Sequence, residues 1–144
     1  MKLSVFFDKN REEEVILYLH RKTDLIEKIE DIIESDLTNL VGYTDCEAVL
    51  LYPEDIFYFF TEDNKVFAAS EKGKLRIKQR LYVLEESLGK DFVKINQSCI
   101  ANIKKIKKFD FSVFGALSVV FKNGDKDFVS RRQMKSVKER IGLN

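Results

Sequence analysis

Short apolar segments separated by turn-forming residues make up most of the chain after residue 46. CEAVLLY, DIFYFFTED and KVFAAS are typical of short strands, and residues 109–130 contain two or three more, with Asn123-Gly124 as a hairpin signal. The turns between the first of these strands are marked by Pro53, Asp63-Asn64 and Lys72-Gly73. This alternation of short strands and turns predicts an α+β fold that is mostly β.

Three segments have helical periodicity instead. Residues 24–35 place leucine and isoleucine on one face and acidic side chains on the other. Residues 79–88 carry leucines at helical spacing, and residues 131–141 form a basic helix with a narrow apolar stripe. Ser130 and Gln133 have the spacing of a capping box in front of this last helix.

The residues before the strand-rich part differ in composition from the rest. KLSVFF at 2–7 and VILYL at 15–19 are each long enough for a short strand, and the acidic helix follows them. We therefore predict a small β-β-α extension over residues 1–38 and a main domain over residues 39–144. Two roles are open for the helix: its isoleucine stripe is a dimerisation or inhibitor-docking surface, or it covers one side of the main core.

Charge is distributed unevenly along the chain, although the net charge is only +1. Residues 1–72 carry 8 basic and 17 acidic residues, whereas residues 73–144 carry 17 basic and 7 acidic ones. A half with a net charge of +10 fits a polyanionic partner such as nucleic acid, and the acidic half would repel the same partner and orient it. The alternative is that these lysines and arginines only solvate the surface.

The chain offers little for catalysis or cofactor binding. Its single histidine, His20, ends an apolar segment, and a zinc site would need about four Cys, His or acidic ligands at suitable spacing. Neither GxxxxGK[ST] nor GxGxxG is present. We expect no catalytic residue, metal, cofactor or small-molecule substrate, and an enzyme is the last of the function classes considered.

The two cysteines and the start of the chain favour a soluble, cytoplasmic protein. Cys46 and Cys99 lack CxxC spacing and cannot make a disulfide framework. Cys99 lies in the apolar segment QSCIANI, where we expect a small buried hydrophobe; the alternative is a redox-sensing thiol activated by nearby lysines. The chain shows no secretory signal and no stretch near the roughly 20 apolar residues that cross a bilayer.

Four segments in fixed order resemble the LytTR family of bacterial DNA-binding domains. These are DIFYFFTEDNKVFA, FVKINQSCIANIKKI, VVFKNG and VSRR, and the resemblance covers about residues 40–142. It implies a LytTR-like antiparallel β-sandwich with short helices, in which loops enter successive major grooves of double-stranded DNA. It also implies a transcription regulator that lacks a receiver domain, because a receiver domain would need more than about a hundred residues.

The family pattern assigns roles to individual positions of this sequence. It implies base contacts by Asn64, Lys65, Asn96, Gln97 and Arg131. It implies phosphate contacts by a second set of basic side chains, namely Lys94, Lys104, Lys105, Arg132 and Lys135.

The sequence departs from the family pattern at several of these places. Phe60 replaces a usual Glu, Cys99 a common aromatic, and Asn96 and Gln97 stand where His or Arg is frequent. These departures affect the target sequence more than binding itself. The resemblance further implies a homodimer, at least on DNA, and for some short regulators a small membrane-protein inhibitor.

Two other function classes remain open at this point. A protein-interaction module acting through a membrane or regulatory partner would have only non-specific DNA affinity. RNA binding would favour exposed aromatics on a sheet face, whereas Phe57-Tyr58-Phe59-Phe60 are expected to pack inside.

Overall fold

Two antiparallel sheets and three helices form the structure, a computed structural model that describes residues 2–34, 40–112 and 114–143. Side chains of residues 31–34 lie outside the description. The helices are α1 (Asp24–Glu34), α2 (Leu81–Ser87) and α3 (Arg131–Ile141). The strands are β1 (Leu40–Tyr43), β2 (Ala48–Leu51), β3 (Ile56–Glu62), β4 (Lys65–Ser70), β5 (Gly73–Ile77), β6 (Phe92–Asn96), β7 (Cys99–Asn102), β8 (Ile106–Phe111), β9 (Leu117–Phe121) and β10 (Lys126–Val129).

The larger sheet has seven strands in the order β2-β1-β5-β4-β3-β7-β6, and the smaller has three in the order β10-β9-β8. Every pairing in both sheets is antiparallel. Tight turns after short strands produce this arrangement, because consecutive strands can then pair directly. The prediction of an α+β fold that is mostly β is confirmed.

Each face of the seven-stranded sheet buries its own apolar core. Phe59 and Leu75 pack with Leu84 of α2 on one face. Ile95 on the other face packs with Phe121 of the smaller sheet and with α3. The alternation of side chains along each strand divides the apolar residues between these two layers. In the run 57–60, Phe57 and Phe59 are buried while the other two rings are half-buried, so the run packs as expected.

The two strands predicted at residues 2–7 and 15–19 are wrong for this structure. Residues 2–23 contain no strand; a turn at Lys9-Asn10 separates two stretches without regular structure. A strand forms only where another strand supplies backbone hydrogen-bond partners, and no described residue does so here. The apolar, strand-like composition indicated that these segments are buried, but composition does not identify the surface that would bury them.

The predicted acidic helix is present as α1, whereas Ser35 and the boundary between residues 38 and 39 lie outside the described residues. Helix α1 contacts α2, with the Lys28 ammonium 5.8 Å from the centre of the Tyr82 ring. Its described side chains belong to neither apolar core. Among the described residues, no helix is long and apolar enough to span a membrane.

Candidate nucleic-acid interface

Three connections meet at one end of the seven-stranded sheet: the β3–β4 turn, the β6–β7 turn and the start of α3. The Thr61 amide donates to the Ser98 carbonyl oxygen at 2.9 Å, which joins the first two. The Ser130 amide donates to the Ile95 carbonyl oxygen at 2.9 Å, which joins the second and third. Residues far apart in sequence therefore form one surface.

The β3–β4 turn presents Asn64 and Lys65 to solvent. Glu62 pairs with Lys65, so only Asp63 and Asn64 connect the strands, and both have left-handed backbone with φ of 52° and 61°. Two left-handed residues match the twist of a short hairpin, and Asp and Asn tolerate this conformation better than most residues. The turn is consequently short and well defined, and it projects the two side chains predicted to contact bases.

Asn96 does not reach the surface of the β6–β7 turn. Its side chain is 3% exposed, and its amide donates to the Phe128 carbonyl oxygen at 2.9 Å. It also donates to Asp127 Oδ1 at 3.3 Å and accepts from the Ser98 amide at 2.8 Å. The predicted base contact by Asn96 is at odds with this burial. The residue ties the turn to β10 and leaves Gln97 and Ser98 exposed.

Asn96→Ala is expected to lower the free energy of unfolding by about 1–3 kcal/mol, because the Phe128 carbonyl and the Ser98 amide lose the buried side chain that bonds them. Urea denaturation measures the change. Gln97→Ala is the matched control in the same turn, and its change should stay within about 0.5 kcal/mol since the side chain is exposed. Equal effects of the two substitutions would contradict the assignment.

The start of α3 concentrates unpaired positive charge. Arg131, Arg132 and Lys135 are exposed, and none of them makes an ion pair with a described residue. The first turn contains no acidic residue. Cations at the positive end of a helix dipole lower the stability of the fold. Their position here therefore favours the binding of an external anion. The predicted capping box is wrong, because the Ser130 side chain makes no capping hydrogen bond.

Two further residues belong to this surface and were not found in the sequence. Arg80 and Ser98 line an open depression of about 620 Å³ together with Asn64. Arg80 directly precedes α2, where a basic residue was visible but had no assigned role. Its closeness to the β3–β4 turn depends on strand pairing between distant segments, which local patterns do not reveal.

The remaining predicted phosphate contacts are not brought together with the three connections. Lys104 and Lys105 follow β7 at the end opposite Ser98, about 13 Å away along a four-residue strand. The Lys104 ammonium lies 3.4 Å from Asp91, and that of Lys105 lies 5.4 Å from the centre of the Phe57 ring. Lys94 is half-buried on β6, with its ammonium 3.7 Å from Glu85 of α2.

Cys99 lies in the core at the start of β7, and Tyr58 is half-buried on the neighbouring strand β3. Cys99 is fully buried, as expected for a small hydrophobe, and burial with the nearby Asp127 raises its thiol pKa above the ordinary value. Burial likewise raises the pKa of Tyr58, whose hydroxyl donates to Asp125 Oδ2 at 2.9 Å. A thiol kept protonated and out of solvent is a poor redox sensor.

Cys46 is expected to react with a water-soluble disulfide reagent at least about a hundredfold faster than Cys99, because only Cys46 is exposed. The native protein should therefore release close to one equivalent of chromophore in the fast phase, and the unfolded protein two. A Cys46→Ser variant gives the rate of Cys99 alone. A fast phase in that variant would show that Cys99 is accessible.

Within the described parts of the chain, no three His, Cys, Asp or Glu side chains are grouped as a metal ion would require. The three connections at the sheet end combine hydrogen-bond donors and cations with the carboxylates of Glu62 and Asp63 on one solvated edge.

Comparison with known proteins supplies the family. A sequence model of the LytTr DNA-binding domain matches residues 47–142. Transcriptional regulators of the HTH type from Staphylococcus aureus strains bovine RF122 / ET3-1 and NCTC 8325 / PS 47, both named as uncharacterized, are each 31% identical over 147 residues. Each alignment covers 99% of this chain and 99% of the relative. In this chain α2 and α3 are separated by five strands, so these two helices do not form a helix-turn-helix.

The fold has a counterpart among solved structures. The LytTr DNA-binding domain of a Bacillus cereus protein, described as a methyl-accepting/DNA response regulator, superposes with a TM-score of 0.68 at 19% identity. The superposition covers 72% of this chain and 97% of that one. The family match spans well over half of the residues, and the relatives align over almost the entire length. The chain therefore belongs to the LytTR family of DNA-binding domains.

Proposed function

We propose that this DNA-binding transcriptional regulator reads specific promoter sequences with the three connections at the end of its larger sheet. The observation that supports the proposal is the convergence of exposed donors and cations from distant parts of the chain on one edge. Such side chains read base edges and hold phosphates, and a narrow edge made of turns and one helix start can enter a major groove.

Four of the five residues predicted to contact bases keep that role in the proposal. Asn64 and Lys65 lie on one side of the edge, Gln97 at its centre and Arg131 at the start of α3. Arginine can bind a guanine through two hydrogen bonds, and amide side chains can do the same with adenine. Asn96 becomes a positioning residue that holds Gln97 at the surface.

Phosphate contacts follow the same geometry. Arg132 and Lys135 lie on the exposed side of α3 near the edge, and Arg80 adds a cation beside the β3–β4 turn. Lys104 and Lys105 are left out of the interface because they lie at the opposite end of β7. Lys94 is assigned no phosphate contact, because its ammonium already lies 3.7 Å from Glu85 of α2.

Removing Arg132 and Lys135 together, each by substitution with alanine, should reduce the slope of log affinity against log salt by about two, because two phosphate contacts are lost. The matched control is Lys104→Ala with Lys105→Ala, which removes the same charge from the other end of the domain. We expect its slope to stay near that of the unmodified protein. Fluorescence anisotropy over a salt series measures both slopes, and equal losses would contradict the placement of the interface.

The proposal as a whole is tested with the duplex upstream of the protein's own coding sequence against a shuffled duplex of equal composition. A preference of at least about a thousandfold is expected for a specific regulator. Equal and steeply salt-dependent binding to both would overturn the proposal. A protein-interaction module would then be the better interpretation, and the basic edge formed by the three connections would act only as an electrostatic surface.

Two copies of the chain are proposed to bind at a promoter that carries a repeated site. A single domain of this size presents one edge and so reads one short stretch of bases, and a second copy on the neighbouring repeat adds its contacts. Footprinting on duplexes with one and two repeats should show protection of both repeats only when both are present.

A further inference from the structure

Exposed apolar side chains are concentrated at the start of the chain. Of the 15 large apolar side chains exposed among the described residues, nine lie in residues 2–19. They include Phe6, Phe7 and Tyr18, which are 88, 97 and 92% exposed. Isolated exposed apolar residues are ordinary, but a contiguous group of this size marks a surface that is covered by another molecule.

The same residues have strand-like composition but no strand partner. β-branched, leucine and aromatic residues dominate both 2–7 and 15–19. None of their backbone groups makes a backbone hydrogen bond with a described residue. A turn at Lys9-Asn10, with the Asn10 amide donating to Asp8 Oδ1 at 3.0 Å, lies between the two segments. Two strand-like segments joined by a turn therefore lack the neighbouring strand that would stabilise them.

The charges near these segments favour a copy of the same chain over other partners. VILYL at 15–19 contains no charged residue, although exposed strand edges are ordinarily protected from self-pairing by charges or proline. Pairing across a two-fold axis makes strands antiparallel and sets each segment against itself, where like charges would repel. The adjacent Glu12, Glu13 and Glu14 are unfavourable for nucleic acid.

Helix α1 completes the pattern, since the described part of its apolar face is only partly covered. Leu25 is exposed, and Ile26 and Ile29 are half-buried. A sheet built from residues 2–20 could place one of its faces against this helix. A two-layer unit of strands and helices is a standard way to bury both an apolar sheet face and an amphipathic helix.

We propose that residues 2–20 are a dimerisation surface whose partner is the same surface of a second copy, paired strand to strand in an antiparallel sheet. The three aromatic rings alone expose on the order of 500 Å². With the six aliphatic side chains, the area is comparable with the about 800 Å² that each partner buries in a stable interface. The dimer supplies the two copies that the proposed function uses, but it forms without DNA.

Sedimentation velocity of the full chain without DNA tests the proposal. The unmodified protein should be a dimer, and Ile16→Asp combined with Tyr18→Asp should weaken dimerisation at least about a hundredfold, because charge is placed in the paired segment. Leu50→Asp is the matched control: Leu50 is 63% exposed and Ile16 58%, but Leu50 lies on β2 outside the surface. The control should remain a dimer.

Hydrogen exchange separates pairing from other kinds of association. Amides of residues 15–19 should exchange more slowly as protein concentration rises, and this protection should disappear in the double variant. A monomeric unmodified protein overturns the proposal, as does a dimer that the double variant leaves intact. So does protection that appears only with lipid vesicles, since it would indicate a membrane rather than a second copy.

The outcome is distinguishable from failure of the proposed function. The double variant should still bind a duplex with one repeat at unchanged affinity, because residues 16 and 18 are outside the basic edge. Loss of dimerisation with retained single-repeat binding supports both ideas separately. A dimer without sequence preference would leave this inference standing and overturn the proposed function.

Discussion

Arg131→Ala is expected to lower affinity for the cognate duplex by about 5- to 150-fold, which corresponds to the 1–3 kcal/mol of one bidentate base contact. Affinity for a shuffled duplex should fall much less, because that complex loses only one charge near the phosphates. The ratio of the two affinities therefore narrows. Anisotropy titrations of both duplexes at one salt concentration measure it.

Arg132→Ala provides the control for this result, because Arg132 is the next residue of α3 and is equally exposed and unpaired among the described residues. It should weaken both complexes alike and leave the ratio unchanged. If Arg131→Ala also left the ratio unchanged, the base contact assigned to Arg131 would be wrong. If the ratio of cognate to shuffled affinity fell only with Arg132→Ala, Arg132 would make the base contact and Arg131 the phosphate contact.

Phe59→Ala should lower the free energy of unfolding by about 3–5 kcal/mol, the range for removing a fully buried ring. Phe59 pairs with Ala68 on one side and Ile100 on the other, on an interior strand of the seven-stranded sheet. Its ring lies 5.8 Å from that of Phe92, centre to centre, so the cavity cannot close without moving two strands. Denaturant titration followed by far-ultraviolet circular dichroism gives the change.

Phe114→Ala removes the same side chain from an almost fully exposed position and should change stability by less than about 0.5 kcal/mol. Since a small domain is stable by only about 5–15 kcal/mol, Phe59→Ala can leave little folded protein. Phe59→Leu then keeps the test usable, with a smaller loss. Equal effects at positions 59 and 114 would contradict the described core.

Helices α2 and α3 and strands such as β2, β3 and β4 were predictable because each is encoded by its own residues, whereas no strand was predicted for β1, β5 or β7. Apolar alternation and turn residues such as Asp63-Asn64 specify where a strand ends, whichever strand becomes its partner. Helix α3 began at the expected residue for the same reason. The order of the strands in the sheets is not local information, and so the side of the domain on which Lys104 and Lys105 lie could not be read from the sequence.

Residues 2–19 and Asn96 show where local patterns fail. The apolar pattern of the first segment indicated strands, but none forms in residues 2–23, because a strand needs a neighbouring strand that no described residue supplies. Asn96 has the residue type of a base-reading side chain, and only its burial against Phe128 reveals that it holds the turn. Residue type alone does not distinguish a polar group that binds outward from one that bonds inward.

The division of labour within the β6–β7 turn has an evolutionary consequence. The Asn96 side chain makes the hydrogen bonds that hold the turn. Its neighbour Gln97 is exposed and takes part in none of these bonds. If Gln97 makes the proposed base contact, substitutions at position 97 change the preferred base without a cost in folding, whereas in this chain Asn96 is held in place by its hydrogen bonds. On that assignment, duplicated copies of this chain that keep Asn96 would acquire separate target genes one surface residue at a time, without passing through an unstable intermediate.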